Sequence, residues 1–402
     1  MNSWSDRRIG LRLLLGLSRW LGVSPPGERL AYLHLVWSVL LLGCVWFYTL
    51  NRLITMKFYK QVLTIQKLFY FAEYPANMLL TALFSLRVYR SARFHRQLWL
   101  QLCRLQALLF EDATAAARQL FAGFEQHALR LLCVIIGFHA VCAVVDSAWL
   151  NFDWRLSVPS NCAHQLPSLM ISLSLLQYVL AHRLLCLLYA QLNQRLAQLR
   201  GRPVGICVLA LESQSLEQLR LVAVALDGVQ AKLLARFGLV LLLSFGNSLL
   251  SLSYEVFNVF RLLELAQLSD WLLYCYRSLW LLLHGARIWF VLRANERIVE
   301  QKCQLFLLLN QLEASDTRQE RSINRFLLQL QTNQAQPLAA CGLVDLDTLA
   351  LGGVSADIFT QHNHKRNLIL FFVLRQFVNA LLVIVIFLIQ IDLGNKSLRG
   401  FV

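Results

Sequence analysis

The sequence predicts an all-α, seven-transmembrane helical membrane protein, with a cytoplasmic N-terminus, an extracellular C-terminus and helices that extend into a cytoplasmic anchor. Three observations carry this. Of 402 residues, 57% are hydrophobic and only 15% charged, whereas roughly a quarter are charged in an ordinary soluble domain. The apolar residues gather into seven runs, near 30–50, 68–89, 131–150, 168–190, 237–259, 270–291 and 367–391, each close to the ~20 residues that cross a bilayer as a helix. Of the 38 Lys and Arg all but five fall between the runs, and unevenly: 25 lie on the side of residues 1–29, 90–130, 191–236 and 292–366, and 8 on the outer side of 51–67, 151–167, 260–269 and 392–402. The richer side is cytoplasmic by the positive-inside rule.

Residues 1–29 do not read as a signal peptide. Arg7, Arg8, Arg12 and Arg19 interrupt any apolar core, and Pro25-Pro26 stand where a small-residue cleavage site would be. An amphipathic helix on the inner membrane face fits them better. Residues 30–291 hold the first six spans. Their cytoplasmic flanks carry leucine at helical spacing: Leu98, Leu102, Leu105 and Leu109; then Leu185, Leu188, Leu192, Leu196 and Leu199; then Leu305, Leu308, Leu309 and Leu312. Such stripes predict helices that continue past the membrane and pack there as a collar. Residues 292–366 form a cytoplasmic loop with anchor helices, 367–391 the last span, and 392–402 an outer tail.

The net charge of +15 does not indicate nucleic acid, because the basic residues separate apolar runs and do not form a basic face. Ten cysteines without a Cys-x-x-Cys pair give no zinc or disulfide framework. His362 and His364 lack a third ligand nearby, and Gly352-Gly353 lacks the lysine of a phosphate loop. Asn395-Lys396-Ser397 is a formal glycosylation sequon close to the membrane. Nothing assembles a nucleophile, base and oxyanion site, so neither an enzyme nor a cofactor is expected.

The polar residues inside the spans are the candidates for function. Asp270, Arg277, His284 and Arg287 share one stripe of the sixth span, with Glu255 and Asp146 as possible carboxylate partners; their cost in lipid turns the stripe toward protein or water. The outer halves gather aromatics, among them Tyr74, Trp149, Tyr254 and Trp271, which suit a membrane-interface belt as well as a ligand. On the last span, Gln376, Ala380, Val383, Phe387 and Gln390 share a face flanked by Asn379 and Ile386. That face suits either an ordinary packed helix or a pore.

The order Phe326-Leu-Leu-Gln329-Leu330, Pro337-Leu338, Cys341-Gly342-Leu343 and Asp345-Leu346-Asp347, closing on an apolar helix that ends in Gln390, resembles the C-terminal signature of the insect gustatory receptor family. Val383-Ile384 and Ile391 stand where that family usually has Thr-Tyr and Phe. Leu21-Gly22, Leu188 to Asn193 and Glu300 to Lys302 resemble it as well, in the same order along the chain. The resemblance implies a ligand-gated, non-selective cation channel in the plasma membrane of sensory-neuron dendrites. It implies a homo- or hetero-tetramer of related subunits in membrane lipid, with no G protein and no nucleic acid expected as partners. It further implies that Gln390, Phe387, Ile386, Val383 and Asn379 line the pore. An outward pocket would hold a small-molecule tastant, bitter or otherwise aversive by default, near Tyr74, Asp146, Trp149, Tyr254 and Trp271. The alternatives are an odorant receptor of the same architecture and an unrelated transporter or membrane enzyme.

Overall fold

The computed structural model describes residues 9–24, 31–58, 64–90, 92–109, 114–200, 206–264, 271–312, 317–334, 339–340 and 344–345. Among them are nine helices: α1 (Ile9–Trp20), α2 (Ala31–Phe58), α3 (Thr64–Arg90), α4 (Ala92–Leu109), α5 (Thr114–Trp149), α6 (Trp154–Arg200), α7 (Ile206–Glu264), α8 (Trp271–Asn310) and α9 (Thr317–Gln334). One short antiparallel pair, β1 (Ala339–Ala340) and β2 (Val344–Asp345), follows. The last span and its tail, with Asn379, Val383, Ile386, Phe387 and Gln390, lie outside the described residues.

Helix α6 is the hub, packing against α1, α2, α3, α4, α5, α7 and α8. Its burial pattern explains the position. Leu173, Leu176, Leu180 and Leu184 are buried on one face, and Ile171, Ser168, Ser172 and His182 on the others, so this part of the helix has no side to give to solvent or lipid. Helix α2 is the opposite case. Leu33, Leu40, Phe47 and Ile54 remain exposed, as befits a span with lipid on most of its circumference.

Among the described residues four stretches are long and apolar enough to cross a membrane: Tyr32–Ile54, Ala122–Trp149, Trp154–Leu199 and Leu216–Val259. The second and sixth expected spans also form helices, α3 and α8, but both carry buried polar groups. Glu73, Asn77 and Thr81 interrupt α3, and His284 and Arg287 interrupt α8.

Two expectations change. Residues 151–167, read as an outer loop, are almost wholly helical, because α6 begins at Trp154. The turn before it is compressed into Asn151 and Phe152, both at positive φ, with the Phe152 amide donating to the Ser147 carbonyl (2.7 Å). Asp153 then caps α6 by accepting the Arg155 amide (2.9 Å). Pro159 and Pro167 lie inside the helix and mimic a boundary in sequence. Helix α1, expected to lie with its apolar face in lipid, instead buries Leu11, Leu14 and Leu21 in the protein core. It meets α5 so closely that the Leu11 amide donates to Glu125 Oε2 (3.1 Å). The approach is possible because position 10 is glycine: a Cβ there would sit 2.8 Å from the Glu125 carbonyl oxygen and 3.1 Å from the Leu129 nitrogen.

The leucine stripes do form a packed extension. Leu98, Leu102, Leu188, Leu192, Leu305 and Leu309 share one continuous core with Phe326 of α9. Polar bolts cross it. The Tyr189 hydroxyl donates to Asp227 (2.6 Å), which also pairs with Lys302, tying α6, α7 and α8 together. Asn193 donates to the Gln301 carbonyl (3.0 Å), and Arg220 to Gln329 (2.9 Å), joining α7 to α9.

Replacing Gly10 by alanine should force α1 off α5 and cost about 1–3 kcal/mol, seen as a lower thermal midpoint of the detergent-purified receptor. Gly16→Ala, which meets no atom within 4 Å, should be neutral or stabilising by up to about 1 kcal/mol. Equal effects of the two substitutions would contradict the close α1–α5 contact.

Candidate functional site

At one end of the bundle lie the C-termini of α2, α5 and α7 and the N-termini of α3, α6 and α8, as the alternation of the chain requires. Each brings a polar residue inward at roughly 5–15 Å from its helix end, at about 1.5 Å per residue: Arg52, Glu73 and Tyr74, Asp146, His164, Glu255, and Arg277.

The best-formed contact is between α7 and α8. Arg277 Nη1 lies 2.9 and 3.1 Å from the two carboxylate oxygens of Glu255, with both side chains largely out of solvent. The same guanidinium sits 5.7 Å over the ring centroid of Tyr254. Glu73 of α3 is buried within electrostatic reach of Glu255, Arg277 and Arg287, so two carboxylates and two guanidiniums are gathered where lipid could solvate none of them.

An aromatic row runs alongside. The Tyr74 hydroxyl is hydrogen-bonded to His164 Nε2, the His164 ring lies 6.4 Å from that of Trp280, and Trp280 stacks on His284 at 5.7 Å. Tyr74 also packs with Tyr48, Leu53 and Ala163 in an apolar cluster separate from the main core. Deeper, Arg287 donates to the Ser168 carbonyl and to the hydroxyls of Ser168 and Ser172. His139 of α5 bonds Gln165 and Ser172, each at 3.3 Å.

These partners share one stripe of α6, made of Ser157, Ser160, Asn161, His164, Gln165, Ser168 and Ser172 at the three- and four-residue spacing of a single helical face. Across from its outer turns stand Asp146, next to Ser160, and Arg52. Here several buried atoms have no hydrogen-bond partner among the described residues: Asp146 Oδ2, Arg52 Nε, Ser157 Oγ, Asn161 Oδ1 and Gln165 Nε2. Buried polar atoms are normally satisfied, so donors and acceptors left in one place mark a region suited to water or to a polar ligand.

Of the residues expected near a ligand, Tyr74, Tyr254 and Asp146 are buried and border this cluster. Trp149 does not. It is half exposed at the end of α5, near the exposed Phe152 and Trp154, where an interface belt belongs. The side chain of Trp271 lies outside the described residues. Arg277, His284 and Arg287 of the predicted polar stripe turn inward, and Glu255 supplies the partner for Arg277; Asp270 lies outside the described residues. Glu73, His164, Trp280 and the serine stripe of α6 join them without a clear sequence signal. The three- and four-residue spacing of Ser157, Ser160, His164, Ser168 and Ser172 is the one hint in the sequence, and Pro159 and Pro167 interrupt it. Among the described residues no group of three or more His, Cys, Asp or Glu side chains is placed to hold a metal.

Comparison with known proteins gives this geometry a context. A family model described as "7tm Chemosensory receptor" matches residues 11–361. The Drosophila melanogaster protein "Putative gustatory receptor 59e" is 36% identical over 408 residues, covering 96% of this chain and 95% of its own. A second D. melanogaster protein, "Putative gustatory receptor 59f", is 23% identical over 239 residues, covering 58% of this chain and 56% of its own. Among solved structures, the insect olfactory receptor OR5 from Machilis hrabei superposes with a TM-score of 0.64 at 13% identity, covering 97% of this chain and 98% of that one. The all-helical bundle is thus an insect chemoreceptor fold, and the chain belongs to the seven-transmembrane chemosensory receptor family.

Proposed function

We propose that the protein is a gustatory receptor subunit that forms a ligand-gated, non-selective cation channel. The observation that carries this reading is the convergence of six helices on a buried polar and aromatic cluster at one end of the bundle, in a chain similar over nearly its whole length to a gustatory receptor. The cluster offers what a small-molecule site needs: aromatic surface at Tyr74 and Trp280, fixed charge at Glu255 and Arg277, and unsatisfied donors and acceptors along α6. The charge split of the sequence supports an outward position for this end.

In this reading a tastant, bitter or otherwise aversive by default, binds among α2, α3, α5, α6, α7 and α8. It favours the open state because it binds that state more tightly. Residues 1–29, the helical extensions and 292–366 form the cytoplasmic part. Four related subunits, identical or mixed, place residues 367–391 around a pore lined by Asn379, Val383, Ile386, Phe387 and Gln390. An apolar ring there gates by dewetting, and the glutamine dipoles face a hydrated ion. The plasma membrane of sensory-neuron dendrites is the site of action. The gustatory relatives favour this over an odorant receptor subunit.

Expression in a cell lacking such receptors, with calcium imaging across a tastant panel, alone and with related subunits, tests the proposal. A tastant-dependent calcium rise is expected, and silence of a surface-delivered protein in every combination would refute it. In the same cells a tag at Met1 should stain only after permeabilisation.

With an agonist in hand, Tyr74→Phe removes the hydroxyl bonded to His164 and with it a hydrogen bond that the site can offer a ligand, and should raise the half-maximal concentration by roughly 2- to 12-fold at unchanged surface level. An identical dose–response curve would remove Tyr74 from the site. Gln390→Ala should change ion selectivity or conductance without altering surface delivery; unaltered currents would argue against a pore at this face.

A further inference from the structure

Helix α1 spends one face on the protein and keeps another outside. Leu11, Leu14, Ser18 and Leu21 are buried, so the helix cannot roll to hide its opposite side. That side is Arg12, Leu13, Gly16, Arg19 and Trp20, a single stripe by helical spacing and exposed at every position. Leu13 and Trp20 are 51% and 59% exposed, too much apolar surface for a helix end facing only water.

The stripe is held at the level where α2 enters the membrane. The Trp37 indole, itself exposed, donates to the Trp20 carbonyl (2.6 Å), and the two rings lie 5.8 Å apart. His34 bonds the Arg19 carbonyl. Trp37 falls in the second turn of α2, at the beginning of its candidate membrane span Tyr32–Ile54. Between the two helices Gly22, at φ 71°, ends α1: its amide donates to Arg19 O (2.9 Å) and that of Val23 to Ser18 O (2.8 Å). This is a Schellman turn, which fixes the chain's exit angle. A side chain at position 22 would meet Ser38 Oγ at 2.8 Å, so α1 is locked to α2 there.

We infer that the Arg12–Trp20 stripe is a binding surface for anionic phospholipid headgroups in the leaflet on the N-terminal side of the bilayer. The indoles and Leu13 match the depth of the glycerol and upper acyl region, where amphipathic aromatic rings settle. The guanidiniums flank them at the level of phosphate and carboxylate, which they bind in fork geometry. Each basic residue near an anionic surface adds affinity corresponding to roughly five-fold. The surface is distinct from the polar cluster at the other end of the spans and does not rest on the proposed channel activity.

The test is photocrosslinking of the full-length receptor in phosphatidylcholine nanodiscs, using photoreactive phosphatidylserine and, in parallel, photoreactive phosphatidylcholine, with adducts mapped by mass spectrometry. Phosphatidylserine adducts should be enriched over phosphatidylcholine on the peptides covering residues 9–20 by roughly five-fold for each arginine. Arg12→Gln with Arg19→Gln should abolish the preference, and Trp20→Ala should lower adducts of both lipids. Equal labelling by the two headgroups in the unmodified protein, the absence of adducts on α1, or a preference that survives loss of both arginines would each overturn the inference. The comparison of headgroups on the unmodified chain decides the matter even where a variant fails to fold.

Discussion

The cost of placing charge inside a membrane organises this bundle. Arg277 and Arg287 lie on α8 a few turns inside a helix that must cross lipid, and neither can remain there without partners. Arg277 finds Glu255 on α7; Arg287 finds two serines and a carbonyl on α6. Together these contacts set the rotation of α8 against both neighbours, a choice that apolar packing alone leaves loose because leucine faces are interchangeable. An ion pair of this kind adds little net stability over a well-packed apolar pair, but it strongly penalises any arrangement that separates its members.

The two ends of the bundle accordingly obey different rules. At the end where α2, α5 and α7 finish, polar atoms meet across six helices, and some find no partner among the described residues. At the other, α6, α7 and α8 continue beyond bilayer length and close around leucine, with the Tyr189–Asp227–Lys302 junction and Asn193–Gln301 as directional ties. Close packing resists small continuous deformation. A rearrangement among the polar side chains would therefore be passed along α8 into the collar of which it is part. That is the mechanical basis on which the proposed site could bias a distant gate.

Much of this was legible in sequence. Apolar run length and the placement of Lys and Arg reveal the helices, because bilayer thickness and charge act on every residue of a span. The leucine stripes reveal the collar, since spacing alone decides which side chains share a face. The polar stripe of α8 is legible for the same reason. Other features depend on which helices meet, and one-dimensional spacing does not carry that. The pairing of Tyr74 with His164 joins residues on α3 and α6, and nothing local to either announces it. Pro159 and Pro167 hid the outer turns of α6, because a proline in a membrane helix is tolerated when neighbouring groups satisfy the freed carbonyls. The partner of the apolar side of α1 is not legible for a simpler reason: an amphipathic pattern shows that a face is buried, but not against what.

The most direct test of the central constraint is a double-mutant cycle on the α7–α8 ion pair, read as the thermal midpoint and monodispersity of the purified receptor. Arg277→Met should be the most damaging, by about 3–5 kcal/mol, because it strands Glu255 beside Glu73. Glu255→Met should cost less, since Glu73 remains near the guanidinium, and the double variant should recover much of the loss. Costs that simply add would mean that the pair does not set the position of α8, and the account of the bundle built on it would be wrong.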